Sequence, residues 1–333
     1  MTRFRKVPLT PQQQLDHLRE RGLTVLDPAR ALRLLEVTSY FRLTPYMRPF
    51  QLRSGDGRMF EKDARLDQVV ALYEFDSQLR QLVMAGIERI EVAARAAIDN
   101  HMAPAHGAHW YMDWRNFNRQ YKHGLLLNGL QSQLANESAK FKRDCQRIEK
   151  SRVAKEVKQE RIEGRKRDNY PRFYAETYTD PPLPPSWAMV EEQSLGGISH
   201  LFMGLARDKD RKAIARRFQV HAPVLGSWLH TLTFVRNICA HHARLWNREL
   251  GIPPKWDSRL NIPGSTGPDG VPRRIYTVVA ILTYLTAQVS PNTRWLDSLN
   301  ELLESNPDIP RNPMGFPEGW REQLRNYQQQ HQE

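Results

Sequence analysis

Between Thr231 and Leu250 the chain reads TLTFVRNICAHHARLWNREL, concentrating arginine, asparagine and histidine without a proline or a glycine. That composition predicts a helix. With Arg236 set at zero and about 100° added per residue, Thr233, Asn237, His241, Arg244, Asn247 and Arg248 fall within one arc of about 140°. Val235, Ile238, Cys239, Ala243 and Trp246 take the other side, and His242 is expected there beside Trp246. The polar face is therefore cationic and carries one titratable group, His241. Metal-independent RNA cleavage needs a base for the 2′-hydroxyl, an acid for the leaving 5′-oxygen and fixed positive charge at the transition state. Histidine suits the first two roles because its ordinary pKa lies near ~6.5. Arginine suits the third, being permanently charged and bidentate toward phosphate. Asn237, one turn from His241, can orient the ring or the substrate. Arg236, Asn237 and His241 are thus the candidate catalytic residues, and Arg244 and Arg248 candidate RNA contacts. One helix offers one such histidine, so a second copy, from a partner chain or from elsewhere in this one, would complete the acid and base pair.

Charge points to the same class of partner. Lys plus Arg number 49 against 37 Asp plus Glu, a net charge of +12, which favours a polyanion. Nucleic acid comes first, with an anionic membrane surface as the competing reading. No apolar run reaches the roughly 20 residues of a spanning helix; the best, Ile275 to Val289, carries three threonines and reads as a buried core helix. The N-terminal MTRFRKVPLTPQQQ lacks an apolar core for a secretion signal, so a cytoplasmic location is expected. Cys145 and Cys239 have no ligand-like spacing, which argues against a disulfide framework or a cysteine zinc site. Cys239 with His241 and His242 could suggest a metal, but adjacent histidines diverge on a helix; no metal and no cofactor are expected.

The elements that must position these residues read as helices throughout. Thr10-Pro11 and Asp27-Pro28 each look like a cap followed by proline at the first helical position, before Gln12 to Glu20 and Ala29 to Leu35. YFRLTPYMRPF, Tyr40 to Phe50, interleaves aromatics with arginines and is punctuated by Pro45 and Pro49, so a loop or broken helix is expected. Leu66 to Met102 has apolar residues at spacings of three and four and predicts one long helix. A further helical stretch starts near Tyr121 and runs through Lys140 to Arg167, where twelve basic residues face five acids. Such a run is either a solvated helix face or an RNA backbone contact surface through Lys140, Lys142, Arg143, Arg147, Lys150, Arg152, Arg165, Lys166 and Arg167. DPPLPPSW, Asp180 to Trp187, breaks the helical pattern. Helical spacing resumes over Trp187 to Leu205, a basic cluster follows at Arg207 to Arg217, and Ala222 to Leu250 reads as one helix or a helix pair. Gly251 to Pro272 is a long loop, and Arg274 to Val289 and Thr293 to Leu303 are two last helices before a Pro-, Gly- and Trp-rich tail. No strand pattern is found, so the fold class is all-α. The division is an N-terminal helical region over 1–62 and a helical domain over 63–333, the latter with a basic insertion at 136–170.

R-N-x-x-x-H at Arg236 to His241 resembles the motif of the HEPN ribonuclease superfamily, and RNICAHHARLWNR is similar to the signature of abortive-infection proteins of the AbiD/AbiF type. Further pieces agree in order: SYFRLTPYMRPF, the F-D-x-x-L-R and I-E-x-I-E pieces within Phe75 to Glu91, HWY, PPSWAMVEEQSLGG, RIY and MGFPEGW. Leu195 stands where that family usually has phenylalanine. The resemblance implies a HEPN-like helical bundle with an N-terminal helical extension and a charged insertion. It also implies antiphage defence, metal-independent endoribonuclease or toxin activity leaving 2′,3′-cyclic phosphate ends, homodimerisation, and association with a structured small non-coding RNA. Arg236, Asn237 and His241 are the residues it marks.

Several residues have plainer readings. Arg95 and His101 fit a loose Arg-to-His spacing, but Arg95 reads as the ion-pair partner of Glu91. Glu191 is either a surface carboxylate or a support for the motif arginines. Trp228, Trp246 and Trp256 could stack bases, yet their spacing suits a core. The alternative function is a non-catalytic RNA-binding module that uses the same cationic face. DNA binding by a helix-turn-helix is disfavoured, because no short glycine turn joins two suitable helices.

Overall fold

The computed structural model describes residues 7–52, 59–257, 273–290 and 292–329, and its first helices begin where side chains supply the missing hydrogen bonds. Thr10 and Gln13 form a reciprocal capping box before α1 (Pro11–Glu20), and the Asp27 carboxylate accepts from the Arg30 N–H at the start of α2 (Pro28–Thr38). Tyr40 to Phe50 is a broken helix: α3 (Tyr40–Met47) tightens into a 3-10 turn at Arg48–Phe50. The predicted long helix is one element, α4 (Leu66–His106), of 41 residues. Its Val69, Leu72, Leu79, Val83, Ile87, Ile90, Ala94 and Ile98 are buried, each of the Val, Leu and Ile side chains contributing about 1.5–3 kcal/mol on removal from water.

Around α4 pack α3, α8 (Ser186–Met189), α9 (Leu195–Gly204), α10 (Asp208–Arg216), α11 (Ala222–Ala240), α12 (Ile275–Val289) and α13 (Trp295–Glu304), with α14 (Trp320–Gln329) against α12. Gly86 admits the Trp295 indole, whose Nε1 donates to the Leu82 carbonyl at 2.9 Å; a Cβ at Gly86 would lie 2.7 Å from that nitrogen. α12 is buried along almost its whole length, as its composition required. No β-strand occurs among the described residues, and the protein is all-α. No helix among them is long and apolar enough to cross a membrane.

Four expectations need correction. The stretch from Tyr121 to Arg167 is two helices, α5 (His123–Glu149) and α6 (Lys155–Arg167), because Ser151 turns back to the Ile148 carbonyl with both its N–H and its hydroxyl. Trp187 to Leu205 is interrupted between Met189 and Leu195, where Ser194 caps α9 by accepting from the Gly197 N–H. The tail contains α14, which its mixed composition concealed. The helix of Ala222 to Leu250 stops at Ala240. Of the loop Gly251 to Pro272, residues 258–272 lie outside the described residues.

Candidate functional site

The motif helix ends without a glycine. His242 takes φ +54°, and the N–H groups of His242 and Ala243 return to the carbonyls of Cys239 and Ile238 at 2.9 Å each. This 5→2 and 6→1 pattern closes a helix through a left-handed residue. What holds the following chain is Asp76 on α4, a fully buried carboxylate. It accepts from the Trp246 N–H at 2.5 Å, the Leu245 N–H at 3.1 Å and the Tyr46 hydroxyl at 2.5 Å, and it pairs with Arg80 one turn along α4. Burial, reinforced by the adjacent Asp76 charge, pushes the Tyr46 phenol well above its ordinary range. α3 adds a second clamp, since Arg42 Nη1 donates to the His242 carbonyl at 2.8 Å.

The early end of α11 redistributes the candidate residues. His241 and His242 are both exposed, so His242 does not turn to the apolar side beside Trp246; with the helix over, its side chain follows a left-handed turn instead. Arg236 lines a cleft of about 680 Å³ between α4 and α11, together with Ser77, Arg80, Glu88, Glu91 and His242. His241 lines a separate groove of about 390 Å³ whose walls include Arg42, Arg48, Arg244 and Arg248. His242 stands on the ridge between the two. Within one chain, then, Arg236 and His241 are neighbours along the helix end but open onto different cavities. The Asn237 side chain accepts from Arg236 Nη1 at 3.4 Å and is not bonded to the His241 ring, which has no hydrogen-bonding partner among the described residues.

The groove around His241 is strongly cationic. Arg244 donates to the Asn247 carbonyl at 3.3 Å and Arg248 to the Arg244 carbonyl at 3.4 Å, so both are steered by neutral oxygens. None of Arg42, Arg48, Arg244 and Arg248 has an ion-pair partner among the described residues. Burial lowers the Arg244 pKa and the nearby Arg248 and Arg48 add to that, whereas Asp76 and Tyr46 oppose it. Arg42, Arg48, Asp76 and Arg80 are candidate-site residues that the motif spacing does not single out. The signal was present, since Arg42 and Arg48 lie in the aromatic SYFRLTPYMRPF piece and Asp76 and Arg80 are the charged pair of F-D-x-x-L-R.

Other candidates lie elsewhere. Lys140, Lys142, Arg143 and Arg147 project from α5, Lys150 and Arg152 occupy the break, and Arg165, Lys166 and Arg167 end α6. All are exposed except Lys166, which is half-buried over the Phe173 ring. With α7 (Tyr170–Ala175), α5 and α6 pack on one another, and none of these nine residues lines either cavity. Glu191 accepts from Arg95 at 3.3 Å rather than from a motif arginine, and Arg95 pairs with Glu91 as expected. His101, the other half of that loose match, binds Asp210 at 2.9 Å. Trp228 and Trp246 are core residues and Trp256 is half-buried. Cys239 is buried and burial pushes its thiol up to about 12, so it is no thiolate near neutral pH. Among the described residues no three His, Cys, Asp or Glu side chains converge as a metal set would.

This constellation is set in a chain of known kinship. The family model for Abi-like proteins matches residues 33–247, from α2 through the end of the motif segment. The chain belongs to that abortive-infection family. The match covers α4 and α11, which wall the Arg236 cleft, and α3, which with the residues after α11 walls the His241 groove. No curated protein and no solved structure matches the chain.

Proposed function

We propose that this protein acts in antiphage defence as a metal-independent endoribonuclease of the HEPN type. The observation that carries the reading is His241 on a groove lined by four arginines; among the described residues its ring has no hydrogen-bonding partner and the arginines have no carboxylate partners. In that reading His241 moves the proton of the 2′-hydroxyl or of the leaving 5′-oxygen, and the guanidinium groups stabilise the charge that grows on the phosphorane. Arg236, on the other side of the His242 ridge and bonded to Asn237, serves a substrate that spans both cavities. A homodimer brings a second histidine within reach and completes the acid and base pair. A structured small RNA held on the cationic surface, including the arm of α5 and α6, restrains the nuclease by covering the substrate path.

The test incubates RNA-free wild type, Arg236→Ala and His241→Ala with end-labelled single-stranded RNA in EDTA. Cleavage by wild type alone is the expected result; activity that appears only with added divalent metal would contradict the mechanism. A second reading, a non-catalytic RNA-binding module, draws on the separation of Arg236 and His241 into two cavities. It expects RNA bound equally by wild type and His241→Ala, and cleaved by neither.

A further inference from the structure

Phe41 is the most exposed large hydrophobic side chain among the described residues, at 87 % of its accessible surface. It sits on the wall of the His241 groove, next to Arg42 and about two helical turns before Arg48. A phenyl ring left in water has no structural return, and α3 buries Leu43, Tyr46 and Met47 instead. The cations beside it are equally uncommitted. Arg42 is held by the His242 carbonyl, Arg244 by the Asn247 carbonyl and Arg248 by the Arg244 carbonyl, all neutral acceptors that fix position without cancelling charge. Burial lowers the Arg244 pKa, Asp76 and Tyr46 oppose that, and the nearby Arg248 and Arg48 push it down further by repulsion. A bound anion would relieve that repulsion. An exposed aromatic face beside several fixed guanidinium groups is the combination that takes single-stranded nucleic acid, the ring stacking a base and the cations following the phosphates.

We infer that α3 forms a binding subsite for one unpaired nucleotide, with its base stacked on Phe41 and its flanking phosphates held by Arg42, Arg48, Arg244 and Arg248 beside His241. Duplex RNA is excluded from the subsite because its bases are already stacked on one another. The inference deepens the nuclease reading by assigning the substrate's local structure, and it rests on that reading only for the claim that His241 acts on the RNA so placed.

The test measures binding, which does not depend on cleavage. RNA-free full-length wild type, Phe41→Ala, Phe41→Trp, Arg48→Gln and Arg248→Gln are titrated by fluorescence anisotropy with a labelled uridine 12-mer and with a matched RNA duplex, in EDTA across a salt series. Phe41→Ala is expected to weaken single-strand binding at least about fivefold, with Phe41→Trp restoring it and duplex affinity unchanged by either. Each arginine replacement is expected to reduce the slope of log affinity against log salt by about 0.7. Single-strand affinity unchanged in Phe41→Ala, equal losses for strand and duplex, or no RNA binding by wild type would each overturn the subsite. If the uridine strand binds with this Phe41 dependence but is never cut, the subsite stands and the nuclease reading falls. Cleavage with binding indifferent to Phe41 means the reverse.

Discussion

Replacing Asp76 with alanine removes a carboxylate that four groups share: the Leu245 and Trp246 N–H groups lose their acceptor, and the Tyr46 hydroxyl and Arg80 keep only their bond to each other, at 3.2 Å. Both members of the ion pair are buried, so Arg80 is left as an uncompensated charge away from water. Breaking a buried pair in this way costs about 3–5 kcal/mol. Hydrogen bonds to a charged acceptor contribute ~1.5–3 kcal/mol each, but these terms overlap with the pair and are not summed. A loss near the top of the 3–5 kcal/mol range is expected, a large fraction of the ~5–15 kcal/mol that a domain has in hand. Tyr46→Phe removes the bond to the same carboxylate together with the acceptor of Arg80 Nη1, and should cost about 1.5–3 kcal/mol. Urea unfolding followed by circular dichroism gives both values, and amide hydrogen exchange reports on Leu245 and Trp246 directly. In Asp76→Ala those two amides should lose protection more than the α4 core does. A loss below about 1 kcal/mol, or unchanged protection at both amides, would refute the idea that Asp76 holds the chain beyond His241.

Three further outcomes follow from the same geometry. His242→Gly removes a side chain from a left-handed conformation and should raise the urea midpoint by the equivalent of a few tenths to about 1 kcal/mol; a lower midpoint would mean that the His242 side chain makes a stabilising contact. Cys239, with its thiol pushed up to about 12 by burial, should resist alkylation at pH 8 in the native protein while the half-buried Cys145 labels, as peptide mapping will show; native labelling of Cys239 would contradict the burial. Burial raises the pKa of Asp210, but hydrogen bonds to His101 and His106 outweigh it and hold the carboxyl below its ordinary range. The stability it contributes is complete above its unfolded value near ~3.9 and is lost as pH falls through the lower folded one. Asp210→Asn should therefore lose stability at neutral pH and flatten the acid limb of the stability curve, and an acid limb unchanged in slope would count against the pairing.

The scaffold was legible where one residue decides a local outcome. Thr10 and Asp27 capped α1 and α2 as their types require, and the uninterrupted apolar spacing of α4 was read correctly up to its last turn. The candidate site was legible in its residue types and not in their arrangement. Nothing local announces that α11 stops at Ala240, because the left-handed residue is a histidine and the group that captures the next N–H groups, Asp76, lies about 170 residues earlier in the chain. A helical wheel carried past Ala240 therefore gathered Arg236 and His241 onto one face, whereas the turn sends them to different cavities. Arg42 and Arg48 were hidden for a related reason, since a proline-punctuated segment reads as a connection until its packing beside the motif is seen. The same holds for the break at Ser151, where a hydroxyl competes for a carbonyl that helical spacing had assigned to the backbone.

The chemistry at His241 leaves its signature in the ends of the cut RNA. RNA cut in EDTA by the RNA-free protein should carry 2′,3′-cyclic phosphate and 5′-hydroxyl ends by mass spectrometry, with none formed by His241→Ala. Ends bearing 3′-hydroxyl and 5′-phosphate, or the same products from His241→Ala, would contradict it.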